Sequence, residues 1–137
     1  MEIVIDASIV YRWYAIDDYS DLAIRIRDDH LEGKFELSSL NIMPYEVLET
    51  IRFLASSVQE SKLKDIGESI YLYGIKMHSF NEVYELACSI SFAEGITILD
   101  SSYLALAIKL KTKLYTVNEA YRDLREKYSE NLNFITL

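Results

Sequence analysis

The sequence predicts an α/β protein: a three-layer α/β/α sandwich around a central parallel sheet of about five short strands. Three observations predict it. Short β-branched runs alternate with helical stretches, which argues for parallel strands joined by right-handed crossovers. The middle runs are apolar without interruption, as strands covered on both faces are. Half of the 137 residues are apolar and 26% are charged, enough to build the core of one domain spanning 1–137.

The first strand is Ile3–Ile5, reached directly from Met1-Glu2, with no positively charged start, apolar run and cleavage site. Leu22, Ala23 and Ile26 recur at helical spacing, with Gly33 where a C-terminal cap belongs. Phe35–Leu37 is the second strand. Pro44, tolerated in a first turn, opens a helix whose apolar face is Val47, Leu48, Ile51, Leu54 and Ala55. The stretch Asn41–Glu94 holds several helices and no good strand. Its last helix carries the stripe Phe80, Val83, Tyr84, Ala87, Ile90 and Ser91, and it ends at Gly95 just before a third strand, Ile96–Leu99. Tyr103–Leu110 is apolar nearly all round, as a helix buried on several sides is. Leu114–Thr116 and Phe134–Thr136 complete the strands. With one proline, four glycines and no linker, repeat or low-complexity segment, no second domain is expected.

Charge and cysteine content exclude several functional classes. Lysine and arginine number 14 against 22 aspartates and glutamates, a formal net charge of −8. That excludes a domain whose whole surface is a basic nucleic-acid footprint. It leaves room for a nucleic-acid enzyme whose carboxylates hold metal ions. Cys88 is the single cysteine, so no intrachain disulfide forms, and the Cys/His cluster of a structural zinc site is missing. No apolar stretch approaches the roughly 20 residues that cross a bilayer, so a soluble, cytoplasmic protein without membrane attachment is expected. Neither GxxxxGK[ST] nor GxGxxG occurs, so no phosphate-cradling loop is in view.

The acidic residues fall at telling places on this frame. Asp6 follows the first strand, Asp100 follows the Ile96–Leu99 strand, and Asn118 and Glu119 lie just past Leu114–Thr116. Ligands of open parallel sheets bind at the carboxyl ends of the strands, so these residues are expected to crowd one rim. Glu46 adds a fourth acid in the first turn of the Pro44 helix, away from its apolar stripe. Taken singly, an aspartate between strand and helix is most often an N-cap, and Glu46 is favoured there by the helix dipole. Together they mean more, because like charges raise one another's pKa unless a cation neutralises them. Oxygen ligands without Cys or His select a hard ion, Mg²⁺ or Mn²⁺, which suits phosphate chemistry.

Four stretches at these positions resemble the PIN-domain ribonucleases of the VapC toxin type, a likeness that spans the whole chain. They are Ile3-Val4-Ile5-Asp6-Ala7-Ser8, Pro44-Tyr45-Glu46-Val47-Leu48-Glu49, Ile98-Leu99-Asp100-Ser101-Ser102-Tyr103-Leu104-Ala105-Leu106-Ala107, and Leu114-Tyr115-Thr116-Val117-Asn118. The resemblance implies a divalent-metal-dependent endoribonuclease that hydrolyses RNA phosphodiesters with a metal-activated water, leaving a 5′-phosphate and a 3′-hydroxyl. It implies Asp6, Glu46 and Asp100 as metal-binding acids, with Ser8 and Thr116 supporting them by hydrogen bonds. It also implies a homodimer and a cognate antitoxin partner. The chain departs from the family at Asn118, where a fourth aspartate is usual. An asparagine carbonyl still ligates a metal or its water, but brings no charge. Glu119 is next to it, on a side chain that a one-residue shift points elsewhere.

Other residues carry less. His30 and His78 read as surface or cap residues, Cys88 as a small core residue, and Tyr84 and Tyr103 as packing. Tyr11, Trp13 and Tyr14 would pack a core or dimer interface, or stack an RNA base. Positive surface for RNA is limited to Arg12, Lys109, Lys111, Lys113, Arg122, Arg125 and Lys127, whose alternative is a solvated helix face. Two competing functions fit the acids. A binding or regulatory module with a degenerate metal site is favoured by Asn118. A receiver-like phosphoacceptor is disfavoured, since Asp6 is followed by Ala7-Ser8 rather than a second acid.

Overall fold

Ile3, Val4 and Ile5 are almost wholly buried, and the strand that carries them, β1 (Glu2–Ile5), is the middle of the sheet. The computed structural model describes residues 1–55 and 57–137. After β1 come α1 (Ala7–Tyr11), α2 (Ser20–Leu31), β2 (Glu36–Leu40), α3 (Met43–Leu54), α4 (Glu60–Leu72) and β3 (Lys76–His78). Then follow α5 (Tyr84–Glu94), α6 (Ile98–Lys109), β4 (Leu114–Thr116) and β5 (Leu132–Phe134), with 3₁₀ turns at Phe80–Glu82 and Glu119–Leu124.

The five strands are all parallel in the order β3-β2-β1-β4-β5. The chain therefore steps outward from β1 to β3, then returns to the other side of β1 to lay down β4 and β5. Right-handed crossovers put α1 to α4 on one face and α5 and α6 on the other. The packing agrees: α3 touches α1 and α4, α5 touches α6, and α6 lies on β1, β2 and β4. Gly67 lets α4 approach α3, since a Cβ there would come within 3.3 Å of a Leu48 methyl. Strand order reverses between β1 and β4, and the crevice outside the carboxyl ends at such a point is where ligands of these sheets bind.

The expected sandwich is present, but one expected strand is absent and another stands in its place. Ile96–Leu99 is no strand. Gly95 ends α5 in the left-handed conformation (φ 71°), and Thr97 then caps α6 by accepting a bond from the Asp100 N–H at 3.0 Å. The Thr97-x-x-Asp100 spacing is a helix-start signal that the β-branched run concealed. The compensating strand is β3, inside the stretch read as strandless. Its Lys76-Met77-His78 has no β-branched residue and is specified by pairing with Ser38, Ser39 and Leu40 of β2. The last strand also sits earlier than Phe134–Thr136, and the second runs on to Leu40.

Several side chains differ too. Cys88 is exposed, because Ala87 and Ile90 turn the buried face of α5 elsewhere, and Tyr84 and Leu54 are exposed as well. His78 is buried and bonded to Glu82. His30 ties three elements: Nδ1 accepts the Leu37 N–H, and Nε2 donates to the Tyr73 carbonyl at 2.7 Å. Trp13 is core, donating to the Ala23 carbonyl and meeting Tyr73 edge-on at 5.1 Å.

Candidate active site

Asp6 is the last residue before α1 and both caps that helix and enters the crevice. One carboxylate oxygen accepts from the Ser8 N–H (3.0 Å) and the Ser8 hydroxyl (2.5 Å), and the other accepts from the Thr116 hydroxyl at 2.6 Å. Thr116 in turn accepts from the Asn118 N–H, and Ser8 Oγ accepts from the Val117 N–H. These bonds lace the carboxyl ends of β1 and β4 together around one carboxylate.

Glu46 stands in the first turn of α3, and its half-buried carboxylate accepts the Tyr103 hydroxyl at 2.5 Å. Periodicity did not aim Glu46 at this rim, and Tyr103, read as packing alone, does so from α6. Asp100 lies in the first turn of α6 rather than behind a strand. It does not cap that helix, since Thr97 does. Its Oδ1 faces the Asn118 Nδ2 at 3.3 Å, and its carbonyl accepts the buried Tyr121 hydroxyl at 2.8 Å.

Asn118 is oriented by two bonds. Its Oδ1 caps the following 3₁₀ turn by accepting the Ala120 N–H, which leaves Nδ2 towards Asp100. The residue expected to offer a metal ligand oxygen thus presents a hydrogen-bond donor. Glu119 is held in a two-pronged bond by Arg122 at 2.6 and 2.9 Å that keeps its carboxyl below the ordinary range.

Burial and mutual repulsion set the electrostatics. Desolvation pushes the Asp6 pKa up to about 6, against the pull of its Ser8 and Thr116 bonds, with Asp100 adding to the rise. Glu46 is pushed up to about 7, first by burial and then by Asp6 and Asp100. Asp100 is raised by burial as well, opposed by the Thr97 and Asn118 bonds. Among the described residues, none of the three is in an ion pair. Their donor set of carboxylate oxygens, uncompensated and partly dehydrated, fits a hard divalent cation. As they stand here, no three His, Cys, Asp or Glu side chains among the described residues are grouped so that they could hold a metal ion. In this arrangement each acid turns a carboxylate oxygen towards a neutral donor, Ser8 and Thr116 for Asp6, Tyr103 for Glu46 and Asn118 for Asp100.

The basic residues divide. Arg12, on the end of α1, and Arg122 lie at the carboxyl end of the sheet. Lys109 and Lys111 close α6 at the far end from Asp100, roughly 14 Å along the helix, and Lys113 precedes β4. The structure does not bring those three lysines to the acids.

Comparison with curated proteins finds ribonuclease VapC3 of Pyrobaculum aerophilum, 30% identical over 132 residues, covering 93% of this chain and 95% of the relative. The chain belongs to the VapC family. Among solved structures, a chain of the VapBC2 complex of Rickettsia felis bound to a promoter DNA fragment matches with a TM-score of 0.59. That match has 16% identity and covers 98% of both chains, a likeness of fold. No family model matches. On the VapC fold seen here, no helix among the described residues is long and apolar enough to cross a membrane.

Proposed function

We propose that this VapC protein is a divalent-metal-dependent endoribonuclease, the cytoplasmic toxin of a toxin–antitoxin pair, working as a homodimer and silenced by its antitoxin. The convergence of Asp6, Glu46 and Asp100 at the strand-order reversal, none of them in an ion pair among the described residues, carries the reading. Three like charges, Asp6 buried and Glu46 and Asp100 half-buried, cost folding free energy, and a site without work to do would be more stable with neutral residues there.

Asp6, Glu46 and Asp100 would hold Mg²⁺ or Mn²⁺, which supplies an activated water and neutralises charge on the attacked phosphate. Ser8 and Thr116 keep both Asp6 oxygens oriented, and Tyr103 keeps Glu46 turned inward. Asn118 holds Asp100 without adding a fourth negative charge, which supports a site for one ion rather than two. Arg12 and Arg122 are the cations placed to meet RNA phosphates at this end.

The test is cleavage of single-stranded and structured RNAs with Mn²⁺, Mg²⁺ or EDTA, beside Asp6→Asn and Asp100→Asn. Metal-dependent cutting abolished by both substitutions is expected. Cutting that survives both sinks the assignment of the site. No cutting, with no stabilisation of the wild type by either metal, would instead establish a degenerate binding module.

A further inference from the structure

A cavity of about 430 Å³ opens beside the acids between α1 and α3. Ser8, Glu46, Asn118 and Glu119, the last already paired with Arg122, line it where it meets the site, and Tyr11, Arg12 and Leu54 line it elsewhere. Glu46, Thr50 and Leu54 recur at successive turns of α3, so the groove leads away from the acids along one helix face for roughly 12 Å.

Arg12 is built into this groove. Its Nε donates to Asp17 at 2.9 Å, its Nη1 donates to the Ser8 carbonyl at 2.8 Å, and its guanidinium lies 5.7 Å and 5.4 Å from the ring centres of Tyr11 and Tyr19. Among the described residues its Nη2 has no hydrogen-bond partner. The pair is partly exposed, Arg12 at 20% and Asp17 at 39%, and the unbonded Nη2 leaves the guanidinium a donor for a phosphate oxygen. The Ser8 carbonyl that orients it is two residues from Asp6, which ties the cation to the strand end bearing the first acid.

We propose that this groove is the subsite for one nucleotide of single-stranded RNA flanking the bond to be cut, with Arg12 on its phosphate and Tyr11 against its base. The proposal rests on the ribonuclease reading and adds where the substrate lies. A planar guanidinium fork suits a phosphate, and a half-buried aromatic ring beside exposed Leu54 suits the face of a base. The volume is that of a small-ligand pocket.

The experiment measures binding of a labelled single-stranded oligoribonucleotide in Mg²⁺ across a salt series, on the Asp100→Asn background so that the strand stays whole. Arg12→Gln is expected to weaken binding about tenfold and to lower the log–log salt slope by about 0.7, the share of one phosphate on a single strand. Arg12→Lys, which keeps the charge, restores the slope. Tyr11→Leu weakens binding about fivefold or more with the slope unchanged. Lys109→Gln, at the far end, changes neither. Unaltered binding in Arg12→Gln and Tyr11→Leu, or an equal effect of Lys109→Gln, overturns the subsite. RNA cutting by the wild type with such unaltered binding sinks the subsite alone, whereas groove-dependent binding with no wild-type cutting sinks the nuclease reading alone.

Discussion

The two ends of the sheet treat polar groups in opposite ways. At the amino end, Glu2 accepts from the Ser38 hydroxyl, Thr112 donates to the Glu2 carbonyl, and Asn131 donates to the Thr112 carbonyl. Lys109, Lys111 and Lys113 stand out in solvent there. At the carboxyl end, three carboxylates are drawn partly out of water, close enough to raise one another, and met only by neutral donors. One end is arranged for stability. The other gives stability up, and the proposed site rests on that difference rather than on the presence of acidic residues alone.

The comparison breaks most sharply at Glu46. Glu46→Gln keeps an oxygen for Tyr103 but removes a charge from the cluster. RNA cutting should fall at least about 100-fold, the loss of a few kcal/mol of transition-state stabilisation. The same variant should melt higher than the wild type at pH 8 without metal. A lower melting temperature there would show that Glu46 is structural.

The next effect is in pH. Asp6 and Glu46 hold protons in the folded chain that the unfolded chain releases, because their pKa values rise from 3.8 to about 6 and from 4.5 to about 7. Their contribution is therefore present below about pH 4 and lost as pH rises to 7, with buried Asp6 alone worth about 3 kcal/mol. A melting series from pH 4.5 to 8 in EDTA should decline over this window. Mg²⁺ should recover more at pH 8 than at pH 5, since metal competes with protons. A flat profile would mean the acids are not buried as described.

Tyr103→Phe sharpens the contrast further. It removes the hydroxyl that turns Glu46 inward, so Mn²⁺ affinity measured by calorimetry should drop about tenfold while the fold melts within a few degrees of wild type. Unchanged affinity would reduce Tyr103 to packing. The smallest effect belongs to the amino end: Lys113→Gln should leave both cutting and melting temperature within experimental error.

Much of this was legible in the chain. Ile3–Ile5 followed by Asp6 announced both the central strand and its acid, and Leu114–Thr116 followed by Asn118 placed the neighbouring strand end. Asp100 was found for a wrong reason, behind a strand that is a capped helix start. Its place at the rim survives because a helix N-terminus opposite β4 reaches the same crevice. The tyrosine hydroxyls were invisible to periodicity, which marks Tyr103 and Tyr121 as apolar and says nothing of what their tips touch. Arg12 and the three lysines looked alike in sequence. Only the direction of β4 and α6 separates them.

The hydrogen bonds from Thr116 to Asp6 and from Asn118 to Asp100 join segments 110 and 18 residues apart. The first of these closes nearly the longest loop the domain contains, a contact of the slow kind in folding. Residues 2 to 110 supply all three acids, yet Asp6 lacks its Thr116 donor and Asp100 its Asn118 donor until β4 slots in beside β1. The two strand ends are therefore joined around these carboxylates only by contacts that span most of the chain.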